Sequence, residues 1–200
     1  WTIGTDFKPA SRRNTSEIVW FDRWGYTKEN PGEVSSLIAA APGVTVEIDI
    51  AASPERVWEL ASDINISARF SDEFQGADWI DGDGPSVGAS FQSRNERADA
   101  NRVWETTSYV VACEPSRVFA WNVNDRDQPS AQWRFELEKI PSGTRLRQGL
   151  IIGPSLSATG RAMEANPDQA QQILTNRREQ HRGNMLLNLE GIKRLAEADV

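Results

Sequence analysis

The side chain with the broadest chemical potential in this sequence is His181, the only histidine among 200 residues. It falls on a long predicted helix, with Arg177 one turn before it and Asn188 about two turns after it. An imidazole titrates near neutral pH, so His181 on an inward-facing side could act as a general acid or base. Arg177 and Asn188 would then orient a carbonyl, phenol or carboxylate. The alternative for His181 is a structural histidine, hydrogen-bonded at a sheet edge or partly solvated. For Arg177 we expect solvent exposure at the margin of the inward side of the helix.

Further candidates for a binding site lie on predicted strands and on the same helix. Residues two apart on a strand share a face, which places Trp121 and Trp133 on apolar, inward rows. The same rule places Gln148 between two leucines and Asn95 on the face of an aromatic residue. Met185 lies on the inward side of the long helix. Plain core packing explains the apolar members equally well, because the wall of a cavity and the surface of a core are the same surface.

Other reactive patterns are weak or absent. Glu105, if buried opposite an arginine, would form an acid–base pair, but an exposed cross-strand ion pair is the more common arrangement. The sequence contains no nucleophile–base–orienting set and no glycine loop that could hold phosphates. Its one cysteine, Cys113, lies in an apolar run typical of a buried side chain and excludes a multi-cysteine metal site. We therefore predict no metal and no cofactor.

The elements that must position these residues begin with a strand. Residues 44–50 alternate apolar and polar side chains. Ser53-Pro54-Glu55 supplies an N-cap, a first-turn proline and an acidic residue, which predict the start of a helix. A second short helix is predicted around residues 64–74. Close spacing and turn residues then favour antiparallel hairpins of five strands, at residues 87–95, 102–113, 117–124, 131–140 and 144–152.

The last predicted element is the longest helix. Asn166-Pro167-Asp168-Gln169 is typical of a helix start, with an asparagine N-cap and a capping-box glutamine, and about 30 helical residues follow. Gly183 interrupts this helix, either to allow a close contact or a bend, or incidentally. The predicted class is α+β: a curved antiparallel sheet of six to seven strands wrapped around the C-terminal helix, with two short helices after the first strand. A cavity remains between sheet and helix.

Composition excludes several classes of protein. The net charge is −7, whereas nucleic-acid-binding proteins usually carry a basic surface, so we predict no nucleic-acid partner. No stretch approaches the ~18 consecutive apolar residues of a membrane-spanning helix. The single cysteine fits a reducing compartment. We predict a soluble, cytoplasmic protein.

Residues 1–42 differ in character from the rest of the chain. They carry an aromatic cluster at residues 20–26 and a turn-like segment at residues 29–32. Exposed aromatic side chains usually cover or contact another surface. We interpret residues 1–42 as an N-terminal extension and residues 43–198 as a ligand-binding domain. The extension would cover the mouth of the cavity or join two subunits of a homodimer.

Ordered sequence segments also carry a family pattern. They are residues 46–50 followed by 52–58, then 103–108, 114–115, 119–121, 133–137 and 143–146. Together they resemble the SRPBCC (START-like, polyketide cyclase/dehydrase) superfamily. The resemblance implies the helix-grip fold, with a hydrophobic cavity between the sheet and the C-terminal helix. It implies no fixed catalytic residue and does not extend to residues 1–42.

Three functional hypotheses follow. In the first, the chain resembles a polyketide cyclase/dehydrase that binds an aromatic or polyketide-like molecule. Confinement and acid–base help from His181 would then promote cyclisation or dehydration. The alternative is a non-enzymatic carrier or sensor of a lipid or other hydrophobic metabolite. The third is a protein-interaction module that uses the aromatic cluster at residues 20–26.

Overall fold

A computed structural model describes residues 43–97, 101–153 and 157–198. Seven antiparallel strands of the described residues form one sheet in the order β1-β7-β6-β5-β4-β3-β2. The strands are β1 (Gly43–Ile50), β2 (Phe74–Asp81), β3 (Ser90–Arg97), β4 (Arg102–Glu114), β5 (Val118–Val123), β6 (Ala131–Ile140) and β7 (Gly143–Ile152). The α-helices are α1 (Pro54–Ala61), α2 (Ala158–Ala165) and α3 (Ala170–Glu197). Short 3-10 turns occupy Ile66–Arg69 and Pro167–Gln169. The predicted class is confirmed: a curved antiparallel sheet holds one long C-terminal helix. The predicted extension at residues 1–42 and its homodimer lie outside the described residues and stay predictions.

The first helix begins where its sequence predicts. The Ser53 side-chain oxygen accepts a hydrogen bond from the Arg56 main-chain N–H at 3.2 Å, and Pro54 occupies the first helical position. A side-chain acceptor at this place satisfies one of the main-chain donors that a helix leaves open at its start. Helix α1 then buries Val57 and Ala61.

The predicted second helix at residues 64–74 is wrong in extent. Only the 3-10 turn Ile66–Arg69 forms, and Phe74 opens strand β2, which the sequence pattern did not predict. Strand β2 lacks a clean alternation because its pairing with β3 shifts register twice, and Gly76 has a φ of 133°. The amide of Asn65 fixes the strand by bonding both the N–H and the carbonyl of Ala77, at 2.8 and 3.0 Å.

The start of the long helix also differs from its prediction. Residues Pro167–Gln169 form a 3-10 turn, and α3 begins at Ala170 and runs for 28 residues. The Asn166 side chain accepts no capping hydrogen bond at the start of the helical segment that follows it. Its Nδ2 instead donates to the carbonyl of Ala162 at 2.9 Å, at the end of α2. Helix α2 was not predicted either. The asparagine therefore ends one helix instead of starting the next.

Two separate hydrophobic clusters hold α3. Its C-terminal half packs against the sheet and α1 in the main core, through Met185, Leu189, Ile192 and Ala196. Near its N-terminus, Ala170 and Leu174 form a smaller cluster with Met163 of α2. The turns of α3 between these clusters face the concave side of the sheet without filling it. This arrangement leaves room for a cavity in the middle of the domain.

The close approach of α3 to its surroundings occurs at Gly191, not at Gly183. A Cβ atom on Gly191 would lie 2.5 Å from three ring atoms of Phe70, whereas one on Gly183 would meet nothing within 4 Å. Gly183 is therefore not required for a helix–sheet contact.

We predict that Gly183→Ala raises the free energy of unfolding by about 1 kcal/mol, because alanine favours an exposed helix interior over glycine by that amount. Urea denaturation followed by circular dichroism measures the change. Gly191→Ala is the matched variant and is expected to lower stability, since its methyl group overlaps the Phe70 ring. Equal changes in both variants would contradict the prediction.

The two edges of the sheet carry different features. Along β1, Arg178 and Lys193 of α3 donate to the main-chain carbonyls of Gly43 and Asp49. The Glu197 carboxylate accepts from the N–H of Ala51 at 2.8 Å. The opposite edge strand, β2, carries the two register shifts described above.

Candidate functional site

A cavity of about 960 Å³ lies between the concave face of the sheet, helices α2 and α3, and the segment that precedes β2. Its lining on α3 includes Leu174 of the smaller cluster, Met185 of the main core and the turns between them. Its walls mix aromatic and aliphatic side chains from β3 to β7 with polar side chains from α3. The volume falls in the range of small-molecule binding sites, about 300–1,000 Å³.

Aromatic rings form the middle of the sheet wall. Trp121 of β5 and Trp133 of β6 are directly paired across the strands, and both line the cavity. Trp121 also contacts Phe91, Phe119 and Phe135, with ring centroids 5.9, 5.2 and 6.1 Å apart. Strand parity had placed both tryptophans on this inner face. Large rings offer broad apolar contact with few rotatable bonds, which suits the binding of a flat or apolar molecule.

His181 faces this aromatic wall from α3. Its imidazole meets the Trp133 ring edge-on, with 5.4 Å between ring centroids. Burial, and next the positive charge of Arg177, lower the pKa of His181 from 6.5 to about 3, while Glu73 acts in the opposite direction. At neutral pH the ring is therefore uncharged. A neutral imidazole can donate one hydrogen bond, accept another, or accept a proton.

Arg177 forms an ion pair at the edge of the cavity. Its two terminal nitrogens bind the two carboxylate oxygens of Glu73 at 2.9 and 2.8 Å, and Nη1 also donates to Gln180. Burial favours the neutral form of Glu73, but the hydrogen bonds and charge of Arg177 outweigh it and lower the pKa of that carboxyl. The predicted solvent exposure of Arg177 is thus wrong, because only 21% of its side chain is exposed.

Asn188 and Gln148 meet inside the cavity lining. The Asn188 Nδ2 group donates to Gln148 Oε1 at 3.1 Å, and both residues are buried. Met185 lies one turn earlier on α3 and is 1% exposed. Helical phase and strand parity had each assigned these residues to the inner side separately. The structure adds that the two amides are hydrogen-bonded to each other.

The remaining sequence candidates are less buried than Asn188 and Gln148. Asn95 lines the cavity from β3, opposite Trp104 of β4, and is only half-buried. Glu105 is exposed and accepts a hydrogen bond from Gln92 at 2.7 Å, so the buried acid–base pair is wrong, and the observed partner is an uncharged amide. The Cys113 thiol donates to the carbonyl of Pro85, and burial raises its pKa.

Sequence reasoning missed Glu73, which belongs to no periodic pattern. It lies 104 residues from Arg177 and directly precedes β2, itself unpredicted. The only available signal was a basic residue on an inward helix side, which requires an acidic partner. Within the described ranges, no cluster of three or more His, Cys, Asp or Glu side chains suits a metal ion. In the same part of the chain, no helix is long and apolar enough to cross a membrane.

Comparison with known protein families assigns this chain to one of them. The model of the family described as polyketide cyclase / dehydrase and lipid transport matches residues 41–176, more than half of the chain. The chain belongs to this family. The description of the family names polyketide cyclases, dehydrases and lipid transport. A search of curated proteins gives no significant match.

Solved structures agree with the family assignment. A Polyketide_cyc-like protein of Corynebacterium glutamicum is 28% identical, with a TM-score of 0.58, and the match covers 78% of this chain and 92% of that one. The Zhui aromatase/cyclase of a Streptomyces species is 17% identical, with a TM-score of 0.57 and coverage of 78% and 93%. The di-domain aromatase/cyclase StfQ of the steffimycin biosynthetic pathway is 13% identical, with a TM-score of 0.61, and is matched over 51% of its length against 78% of this chain. At these lower identities the last two show the fold alone.

Proposed function

We propose that the cavity binds an aromatic or polyketide-like small molecule and promotes its cyclisation or dehydration. The observation that carries this proposal is the 960 Å³ cavity walled by Trp121 and Trp133, with the neutral imidazole of His181 against the same wall. The family description names cyclases and dehydrases. Two of the structural relatives are named as aromatase/cyclases.

Confinement is the main catalytic contribution in this proposal. A flexible chain of carbonyl groups must fold before two of its carbons can react, and a shaped cavity holds it in the reactive conformation. Aromatic walls exclude water from the reacting carbons, which also limits hydrolysis. Asn95 and Gln148 line the same space and can hold carbonyl or hydroxyl oxygens in place, and Asn188 can hold a hydroxyl.

His181 supplies the proton transfers. Its neutral imidazole takes a proton from a carbon between two carbonyls, and the resulting enolate carbon attacks a second carbonyl carbon to form a C–C bond. The imidazolium returns its proton to the alkoxide oxygen, and loss of hydroxyl with a neighbouring proton then releases water. A pKa of about 3 makes the imidazolium a strong acid, so the return step is fast, whereas the first step relies on an activated C–H.

A non-enzymatic carrier of a lipid or other hydrophobic metabolite is the second candidate. One observation favours it: a histidine with a pKa of about 3 is a weak base at pH 7. A carrier needs only the cavity and its polar anchors. The family description includes lipid transport as well. A cytoplasmic location stays a prediction under both candidates.

Variants of His181 separate the two candidates. Native mass spectrometry first identifies any retained molecule, and a synthetic linear polyketone thioester serves as the reaction probe. We expect His181→Asn to bind the probe within about twofold of the parent but to lower the rate of water loss at least tenfold. The matched control is Arg182→Gln, an exposed neighbour on α3, which is expected to change neither quantity.

The outcomes distinguish the proposals. Binding of the probe without turnover in the parent protein supports the carrier and overturns the enzyme. Equal turnover in the parent and in His181→Asn overturns the role of His181. Absence of both a retained molecule and probe binding overturns both cavity proposals.

A further inference from the structure

The Asn188–Gln148 pair contains an unused hydrogen-bond acceptor. Asn188 is 4% exposed and Gln148 is 5% exposed, and one hydrogen bond joins Asn188 Nδ2 to Gln148 Oε1. The other oxygen of the pair, Asn188 Oδ1, is fully buried and has no hydrogen-bond partner among the described residues. An unpaired buried carbonyl destabilises a folded protein, because it has lost its hydrogen bonds to water without gaining others. Such a group in a cavity lining indicates a site that a bound molecule completes.

The strand neighbours of Gln148 cannot supply the missing donor. On β7, the residues two positions before and after Gln148 on the same face are Leu146 and Leu150. Across the strands, Gln148 pairs with Phe135 on one side and Val46 on the other. All four side chains are apolar and buried. No described residue donates to Asn188 Oδ1, so a molecule bound in the cavity can supply this donor.

We propose that Asn188 and Gln148 form a specificity site for a hydroxyl group on the ligand. This inference rests on the binding function proposed above. The hydroxyl donates to Asn188 Oδ1, and its oxygen accepts from the Gln148 NH₂ group, whose carbonyl is already engaged by Asn188. Two adjacent amides then bind one oxygen that both donates and accepts.

Other polar groups fit this pair less well. A ketone or ether oxygen has no hydrogen to donate and leaves Asn188 Oδ1 unpaired. A carboxylate places negative charge against that same oxygen, and an ammonium group is costly to bury among leucines and phenylalanine without a counter-charge. The ligand class is thus a phenol or alcohol on an otherwise apolar frame, rather than a plain hydrocarbon chain.

A pair of matched probes tests this assignment: 2-naphthol, which carries a hydroxyl, and 2-methoxynaphthalene, which keeps the oxygen but lacks the donor. Equilibrium dialysis gives both dissociation constants. We expect the protein to bind 2-naphthol at least tenfold more tightly, although the methoxy compound is the more hydrophobic. In Asn188→Leu we expect this preference to disappear through weaker binding of 2-naphthol, with binding of 2-methoxynaphthalene kept.

Gln132→Leu is the matched control. Gln132 is also a buried amide with an unpaired carbonyl oxygen among the described residues, but its Nε2 donates to Asn122 and it does not line the cavity. This variant is expected to leave the preference between the two probes unchanged. Gln148→Met provides a second test if Asn188→Leu fails to fold, and it is expected to lower the preference as well.

Different results would contradict the hydroxyl site and the proposed binding function. If the parent protein binds the two probes equally, or if Asn188→Leu and Gln148→Met keep the tenfold preference, the hydroxyl site is overturned while binding in the cavity stands. If neither probe binds at all, the proposed binding function itself fails.

Discussion

Glu73→Gln is expected to lower the free energy of unfolding by about 3 kcal/mol at pH 7, the lower end of the range for breaking a buried ion pair. The substitution keeps the shape of the side chain but removes the charge that Arg177 binds with two hydrogen bonds. The side chains of Arg177 and Glu73 are only 21% and 15% exposed, so water replaces the lost partner poorly. The loss should appear in urea denaturation as a lower midpoint with an unchanged slope.

A surface ion pair provides the control for this result. Asp78 binds Arg94 on the outer side of β2 and β3, and their side chains are 74% and 51% exposed. Exposed pairs contribute about 0–1 kcal/mol, so Asp78→Asn is expected to change stability by less than 1 kcal/mol. If the two substitutions had equal effects, burial would not be the cause of the stabilisation by Glu73. The double variant Glu73→Met with Arg177→Met should recover part of the loss, because it leaves no unpaired charge.

Acidification from pH 7 to pH 5 is expected to lower the free energy of unfolding by about 2 kcal/mol through His181 alone. The folded protein holds the pKa of this imidazole at about 3, below the ordinary value of 6.5. Between these two values the unfolded chain binds the proton and the folded protein does not. The stabilisation that comes from the uncharged imidazole is therefore fully present above pH 6.5, and it is lost as the pH decreases toward 3.

The window from pH 5 to pH 7 isolates this residue. His181 is the only histidine in the sequence, and the lowered pKa of Glu73 confines its own effect to below its ordinary value of 4.5. Denaturation curves at pH 7, 6 and 5 measure the slope. His181→Asn should reduce the difference between pH 7 and pH 5 to less than about 0.5 kcal/mol, and a parent protein without the slope would contradict the low pKa.

What the sequence could predict depended on periodicity within single elements. The phase of one helix placed Met185 and Asn188 on its inner side, and the parity of single strands did the same for Trp121, Trp133 and Gln148. These assignments need no knowledge of the partner element. The ordered family-like segments then supplied the arrangement of sheet and helix. The functional roles of these residues, and of His181, stay predictions.

The rest depended on contacts that no local pattern records. Strand β2 was missed because Gly76 and two register shifts interrupt its alternation. The ion pair of Glu73 joins residues 104 positions apart, and the pKa of His181 follows from burial and from that same pair. The Asn166 side chain could cap either of two helices, and in the structure it bonds the end of α2.

The edges of the sheet influence how readily copies of the protein associate at high concentration. A strand from another molecule joins an edge most easily when the edge is flat and its N–H and C=O groups are free, and such an edge is a template for fibril growth. Here α3 side chains already occupy main-chain groups at both ends of β1. The bulged β2 offers no straight row of groups at the other side. Within the described residues, both ends of the sheet are thus protected against the stacking of successive copies into a continuous ribbon.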